Sequence, residues 1–207
     1  ESFLLYKPKD IVSGDLYFIE KFDNFIVLAV VDCTGHGVPG AFMSVLSFSM
    51  LNYLIKKDYI KKTKPSDILE RLHFEVVKAL KQDISDTESK DGMDISLCII
   101  DTKKMELRYA GAYQTLYAII NGKLKIFKGD WSSVGGEHYG EKEAFIFTTK
   151  KIKISEKDTF YLFTDGYIDQ FGGEYGKKFL SKRFREMIQN NWQKPLEEQK
   201  EIFDQHY

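Results

Sequence analysis

The chain has 207 residues, of which 43% are hydrophobic and 29% are charged, with 30 Lys and Arg against 31 Asp and Glu. This length suits one domain, and the net charge of −1 gives no electrostatic case for binding nucleic acid or an anionic membrane surface. Two cysteines make no disulfide framework, which predicts a reducing compartment, the cytoplasm.

No apolar stretch is long enough to span a bilayer, and no signal peptide is visible. We therefore expect this domain to make no membrane contact of its own. The full-length protein could still be tethered to a membrane through an upstream domain.

Hydrophobic periodicity predicts an alternation of strands and helices. Strands are predicted at residues 15–20, 25–31, 95–100, 106–110, 115–120, 123–127, 144–150 and 159–163. Helices are predicted at residues 40–56, 65–82, 177–190 and 194–205, and the polar residues 83–92 predict an exposed loop. Strands in meander order with helices outside them fit an α+β fold, an αββα sandwich of two antiparallel β-sheets flanked by helices.

Two short acidic motifs directly follow apolar strands. Residues 32–37 read Asp-Cys-Thr-Gly-His-Gly and follow the run 25–31, while residues 164–166 read Thr-Asp-Gly and follow the run 160–163. Clustered carboxylates repel one another unless a cation neutralises them, and Mg²⁺ and Mn²⁺ prefer oxygen ligands. The pattern therefore suggests a shared site for a hard divalent cation. A third acid, Asp15, is a further candidate because it too adjoins a glycine.

The glycines of the first motif sharpen this prediction. Gly35 and Gly37 allow positive φ and close approach, so backbone carbonyls as well as the Asp32 carboxylate can face an ion. From Val38 the apolar residues recur at helical spacing, which places the site at a helix N-terminus that favours phosphate.

Each of these residues also has a purely structural interpretation. An Asp after a strand commonly caps a helix or begins a turn, and His36, between two glycines, could simply fix the loop. Asp94 precedes the strand at 95–100 and either touches a further metal or ends a turn. Cys33 and Cys98 lie in apolar strands and are most simply buried thiols.

The order of four motifs resembles one family. Residues 7–17, 32–37, 91–94 and 164–166 follow the order seen in the SpoIIE/RsbU branch of the metal-dependent (PPM) serine/threonine protein phosphatases. The resemblance implies a bacterial signal-transduction hydrolase that removes phosphate from serine or threonine of a regulatory protein by means of a metal-activated water. It also implies that residues 1–207 form one SpoIIE-type phosphatase domain that is truncated at both ends.

The resemblance implies two bound Mn²⁺ or Mg²⁺ ions and a set of residues around them. Asp32 would bridge the ions, the Cys33 backbone carbonyl would bind one of them, Asp165 would bind the other, and Asp15 would act nearby. Asp15, Asp32 and Asp165 are thus the predicted catalytic residues, and with Cys33 they are the predicted metal ligands. Supporting roles are predicted for Gly35, His36, Gly37, Asp94 and Gly166.

Two features of the family's wider pattern are not found in the 207 residues. Family members carry a further Asp-Asp-x-Thr-like segment, which does not occur here. Relatives in the wider superfamily often hold phosphate with an arginine, and no arginine lies near these motifs. We therefore expect the phosphate to be held mainly by metals and backbone.

The resemblance also implies partners. The substrate would be a phosphorylated regulator of the STAS or anti-anti-sigma type, an upstream sensory or receiver domain would control activity, and a homodimer is left open. Helices 40–56 and 65–82 are candidates for transmitting that control. The simpler interpretation is that their apolar residues are ordinary core, namely Phe42, Leu46, Leu54, Leu69, Leu72 and Val76.

Two other functions remain open. The chain could be a catalytically weak phosphatase-like module that binds a regulator without turning it over. It could also be a metallohydrolase of a small phosphoester, although the sequence has no glycine-rich phosphate loop of the P-loop type and no base-recognition signature.

Overall fold

The structure is a computed structural model that describes residues 1–83, 90–136, 147–172 and 176–207. In chain order its strands are β1 (Asp15–Phe22), β2 (Phe25–Cys33), β3 (Gly92–Asp101), β4 (Glu106–Ala112), β5 (Thr115–Ile120), β6 (Lys123–Lys128), β7 (Val134–Gly135), β8 (Lys150–Lys153), β9 (Thr159–Tyr161), β10 (Phe171–Gly172) and β11 (Lys177–Lys178). Its helices are α1 (Gly37–Leu54), α2 (Lys57–Ile60), α3 (Pro65–Ala79), α4 (Asp165–Asp169), α5 (Leu180–Asn191) and α6 (Leu196–Gln205).

Two antiparallel sheets form the centre of the fold. The larger has the strand order β1-β2-β3-β4-β8, with the short β7 paired to β3, and the smaller has the order β6-β5-β9. In β2 every second side chain is buried, whereas β3 is buried at nearly every position. A strand that is covered on both faces reads as a continuous apolar run, so β3 is the central strand of the larger sheet.

Three buried clusters match the layers of a sandwich. One joins β1, β2 and β3 to α1 and α3, with Leu51, Leu69 and Leu72 fully buried. A second joins the smaller sheet to α5 and α6. The third, which contains Tyr109 and Leu116, combines residues of β3, β4, β5 and β8 and fills the space between the sheets. The predicted αββα arrangement is therefore confirmed.

Several predicted boundaries differ from the structure. The helix predicted from residue 177 begins at Leu180, because Lys177–Lys178 pair with Phe171–Gly172 as a short hairpin. The helix predicted at 65–82 ends at Ala79, and no pattern in the sequence predicts the short helices α2 and α4. Of the strand predicted at 144–150, residues 144–146 lie outside the described residues and the strand itself is at Lys150–Lys153.

The predicted loop at 83–92 lies largely outside the described residues, and Gly92 already belongs to β3. The assignment of helix residues to the core holds for Leu54, Leu69, Leu72 and Val76, which are buried, and Leu46 packs against the same cluster. It is wrong for Phe42, whose residue surface is 73% exposed. Among the described residues, no helix combines the length and the apolar character needed to cross a membrane.

Candidate active site

Strand register brings three carboxylates into one row. Asp15 of β1 lies opposite Asp32 of β2, and Asp32 lies opposite Asp94 of β3. Residues directly opposite each other project from the same face of the sheet, with Cβ atoms about 5 Å apart. The three acids therefore form a carboxylate row at the end of the larger sheet, where β2 passes into α1.

A fourth carboxylate reaches the row from the other sheet. Asp165 is the first residue of α4, which follows β9, and it faces Asp32 and Asp94 across an open cleft of about 480 Å³. This acidic cleft is lined by Asp32, Cys33, Thr34, Lys90, Gly92, Met93, Asp94, Tyr113, Ser133, Gly136 and Asp165. Asp15 is tied to the same side, because the Thr164 hydroxyl donates to its Oδ2 at 2.8 Å.

The carboxylates repel one another. Burial, followed by the negative charges of Asp15 and Asp165, raises the pKa of Asp32 to about 8. Burial also raises the pKa of Asp94, although the Ser133 hydroxyl, which donates to its Oδ1 at 2.6 Å, partly opposes this. A bound cation would remove this repulsion, since an opposite charge nearby favours the ionised form.

The donor set fits a hard divalent cation, because it offers carboxylate and carbonyl oxygens. Within the described ranges, however, no three His, Cys, Asp or Glu side chains have the arrangement of a ready-made metal site. The row and Asp165 therefore supply the right chemistry, and their side chains would have to close around an ion to bind it.

The loop after β2 is packed by two glycines. A Cβ atom at Gly14 would lie 2.7 Å from the Gly35 carbonyl oxygen, and one at Gly40 would lie 2.4 Å from the same atom. Real Cβ atoms do not approach an oxygen so closely, so only glycine fits at either position. Gly35 and Gly37 have φ angles of +86° and +63°, as the motif predicted.

Thr34 fastens this loop to β3. Its backbone N–H donates to the Gly92 carbonyl at 2.9 Å, and its Oγ1 accepts from the Gly92 N–H at 2.5 Å. Ser133 is positioned from the same strand, because it precedes β7, whose Val134 pairs with Met93. Thr34 and Thr164 stand inside the quoted motifs but were given no role from the sequence, and nothing in the sequence pointed to Ser133, Tyr113 or Lys90.

Two predicted residues are placed differently from the acids. The His36 side chain is 85% exposed, lies 3.7 Å from Asp10 Oδ2 and does not line the acidic cleft. The Cys33 thiol faces inward, with Sγ 3.4 Å from Ser47 Oγ, and burial raises its pKa to about 11. Such a thiol is a poor nucleophile, so Cys33 can serve the site through its backbone only.

Gly166 adjoins both halves of the site, whereas Arg108 does not line the cleft. A Cβ at Gly166 would lie 3.7 Å from Thr164 Oγ1 and 4.0 Å from Asp15 Oδ2, so this glycine adjoins the bond that joins the two halves of the site. Arg108 is buried and donates to the carbonyls of Ile60 and Thr63. The guanidinium thus stabilises the end of α2, and among the described residues that line the cleft the cationic one is Lys90.

Comparisons with known proteins identify the family. Residues 23–206 match the family model described as stage II sporulation protein E (SpoIIE). The chain belongs to the SpoIIE family. Its fold and its named neighbours place it among the PP2C-type (PPM) serine/threonine phosphatases, which are hydrolases. Comparison with curated protein sequences gives no match.

Solved structures give the same fold. The SiaA PP2C domain of Pseudomonas aeruginosa is 32% identical, with a TM-score of 0.84 over 98% of this chain and 76% of that one. The PP2C domain of SpoIIE from Bacillus subtilis, solved with a fragment of its regulatory domain, is 13% identical, with a TM-score of 0.69 over 96% of this chain and 54% of that one. RsbX in complex with magnesium is 16% identical, with a TM-score of 0.66 over 98% of this chain and 84% of that one.

Proposed function

We propose that the chain removes phosphate from phosphoserine or phosphothreonine of a regulatory protein, with two Mn²⁺ or Mg²⁺ ions held in the acidic cleft. The observation that carries the proposal is the carboxylate row on the larger sheet facing Asp165, at the start of α4 after the smaller sheet's β9. Burial, followed by the neighbouring negative charges, raises the pKa of Asp32 to about 8, and such crowded carboxylates are costly without a cation. A structure of the fold neighbour RsbX contains magnesium.

The proposed ligands are Asp32, Asp165, Asp15 and the Cys33 backbone carbonyl, with Asp94 as a further acid in the row. Bound divalent cations supply an activated water and offset the charge on the phosphoryl oxygens. The chain's own part is orientation. Thr164 holds the Asp15 carboxylate, and Ser133 holds Asp94. Such neighbours of metal ligands typically change metal affinity 10- to 100-fold when mutated.

Regulation by an upstream domain is part of the proposal. Helix α1 follows β2, the strand that carries Asp32, after a loop of only three residues, so a change in the position of α1 would reach the site directly. It also presents an exposed apolar side, on which Val38, Phe42 and Val45 are all more than 60% exposed. The SpoIIE neighbour was solved with a fragment of its regulatory domain. We propose that a sensory or receiver domain acts on this chain through α1, in a cytoplasmic protein with a STAS-like substrate.

The test is Mn²⁺-dependent phosphate release from a phosphoserine protein and from a chromogenic phosphoester. Wild type is compared with Asp32→Asn, Asp165→Asn and the matched control Asp169→Asn, which changes an exposed acid of the same helix α4. Metal-dependent turnover that both site variants abolish and the control retains would support the proposal. Turnover that persists without metal, or in both site variants, would contradict it.

A second candidate is the binding module that recognises a phosphoprotein without hydrolysing it. One observation favours it, since the described acidic side chains are not arranged as a ready-made metal site. The two candidates separate in the same assay. A binding module would retain affinity for the phosphoprotein but release no phosphate at any Mn²⁺ concentration.

A further inference from the structure

A second, smaller cavity adjoins the acidic cleft. It has a volume of about 190 Å³ and shares three wall residues with the cleft, namely Asp94, Tyr113 and Asp165. We name it the side pocket, and its other lining residues are Gln114, Thr115, Tyr117, Phe163, Ile168 and Ser181. Because the two cavities share walls, a ligand bound in the cleft can extend into the side pocket along one continuous surface.

One wall of the side pocket is apolar and firmly packed, and much of the rest of its lining is polar. The rings of Tyr117 and Phe163 lie 4.8 Å apart, and Phe163 packs edge-on against the buried Phe184, also at 4.8 Å. Ile168 packs against the same cluster. Walls of this kind gain free energy by covering an apolar side chain. They would also strip water from an acidic side chain without pairing its charge, which is unfavourable.

Tyr113 stands between the two cavities in a strained conformation. Its φ of +54° lies in the left-handed region, which is uncommon for a bulky residue. The turn is held on both sides, because Tyr113 N–H donates to the Asp130 carbonyl at 2.8 Å and the buried Tyr109 hydroxyl donates to the Gln114 carbonyl at 2.6 Å. Strain of this kind persists where the surroundings over-determine it, and it clusters at ligand clamps.

The turn at Tyr113 is also tightly packed against a neighbouring segment. A Cβ at Gly129 would lie 2.4 Å from the Gln114 carbonyl oxygen, so the neighbouring segment fits against it only as glycine. Trp131 packs edge-on against the Tyr113 ring at 5.9 Å while remaining 85% exposed. The Tyr113 ring, which lines the acidic cleft, is thus in contact with a second aromatic ring.

We propose that the side pocket is a specificity subsite, which receives an apolar side chain of the substrate protein close in sequence to the phosphoserine or phosphothreonine. The phosphate enters the acidic cleft, Tyr113 forms the wall between the two side chains, and Trp131 supports that wall. This inference rests on the proposed phosphatase function and adds to it a substrate class: a phosphorylated segment with an aliphatic or aromatic neighbour.

The test uses phosphoserine peptides that differ only at flanking positions, with Leu, Ala or Glu beside the phosphoserine. For wild type we expect kcat/KM to be about tenfold higher for the best Leu peptide than for its Ala counterpart, the scale of burying one aliphatic side chain. The Glu peptide should be poorer than the Ala peptide. The ratio of Leu to Ala is the readout, because it cancels any general change in activity.

Two variants assign the ratio to the side pocket. Tyr113→Asn removes the ring but tolerates the left-handed backbone, and Ile168→Ser makes a pocket wall polar without touching that turn. Each should lower the ratio of Leu to Ala to about 2 or less. The matched control is Phe74→Ser, which changes an exposed aromatic residue (61%) on α3 that lines neither cavity, and it should keep the wild-type ratio.

A wild-type ratio near 1, or a ratio that survives both variants, would overturn the subsite proposal while leaving the phosphatase function intact. The phosphatase function fails differently. In that case neither the peptides nor a chromogenic phosphoester would show metal-dependent turnover, and both proposals would fall together.

Discussion

Asp32 and Asp165 face the same cleft but are held in different ways. Asp32 is half-buried in the middle of the carboxylate row, where backbone pairing on both sides fixes its position. Asp165 is exposed at the start of the five-residue helix α4. The half of the site that contains Asp32 is therefore rigid and carries the free-energy cost of the crowded carboxylates. The half that contains Asp165 is more adjustable. Metal binding would therefore relieve the repulsion at Asp32 and order the side chain of Asp165.

The largest expected effect is the loss of activity when either half is changed, and the stability of the metal-free protein separates the two halves. Asp32→Asn and Asp165→Asn should each lower metal-dependent kcat/KM by about 10³-fold, the equivalent of several kcal/mol of lost cation interaction. In the metal-free protein, Asp32→Asn alone should raise the free energy of unfolding, by about 1–2 kcal/mol at pH 7.5, because folding then no longer has to protonate a half-buried carboxyl whose pKa is about 8. Urea denaturation in EDTA measures this.

The control for that stability gain is Asp169→Asn, which should change the free energy of unfolding by less than about 0.5 kcal/mol, as surface ion pairs do. Equal stabilisation by Asp165→Asn would contradict the difference between the halves.

The second effect is a pH dependence of metal affinity. The folded-state pKa of Asp32, about 8, is above the ordinary aspartate value of 3.8, so the metal-free folded protein keeps a proton there that a cation must displace. Mg²⁺ affinity should fall about tenfold for each pH unit below 8, and the metal-free protein should lose stability as pH rises from about 4 to 8. Calorimetric Mg²⁺ titrations between pH 6 and 8.5 measure the affinity.

In Asp32→Asn the pH slope of any residual Mg²⁺ binding should be much shallower. An equally steep slope in this variant would assign the proton to another group and contradict our account of the row.

The third effect concerns the loop that follows Cys33, whose backbone carbonyl is a proposed metal ligand. Gly40→Ala places a methyl group 2.4 Å from the Gly35 carbonyl oxygen, and such overpacking typically costs about 1–3 kcal/mol. Urea denaturation should show this loss of stability, and calorimetric titration should show weaker Mg²⁺ binding. Gly172→Ala is the matched control, because a Cβ there meets nothing within 4 Å. Unchanged metal affinity in Gly40→Ala would mean that the loop carbonyls are not ligands.

The smallest effect tests the bond that joins the two halves. Thr164→Val removes the hydroxyl that donates to Asp15 and should weaken Mg²⁺ binding about tenfold, the lower end of the range for residues that orient a ligand. Thr102→Val is the control, because it removes a hydroxyl bond to the Asn24 carbonyl at the opposite end of the larger sheet. Equal Mg²⁺ affinities in the two variants would show that this bond does not position Asp15.

The fold and the acids were predictable for different reasons. Apolar runs and turn residues act locally, so the strands β1 to β6 and the layer order could be read from the sequence. Asp15, Asp32 and Asp165 were identified because they belong to contiguous motifs. Asp94 stayed ambiguous, because only the pairing of β2 with β3 shows that it stands beside Asp32.

The remaining features depend on contacts between distant parts of the chain. The bond from Thr164 to Asp15 spans 149 residues, and the side pocket combines the turn at Tyr113 with Phe163 and Ile168. The exposure of Phe42 could not be predicted either, since α1 is apolar on more than the side that it buries. No periodicity in the sequence carries this information.

The most direct measurement is an anomalous difference map from crystals of the protein soaked in Mn²⁺. Our account predicts Mn²⁺ in the acidic cleft, at about 2.0–2.2 Å from carboxylate oxygens of both Asp32 and Asp165, so that both sheets bind the same metal centre. Mn²⁺ bound only outside the cleft, or to one sheet without the other, would contradict it.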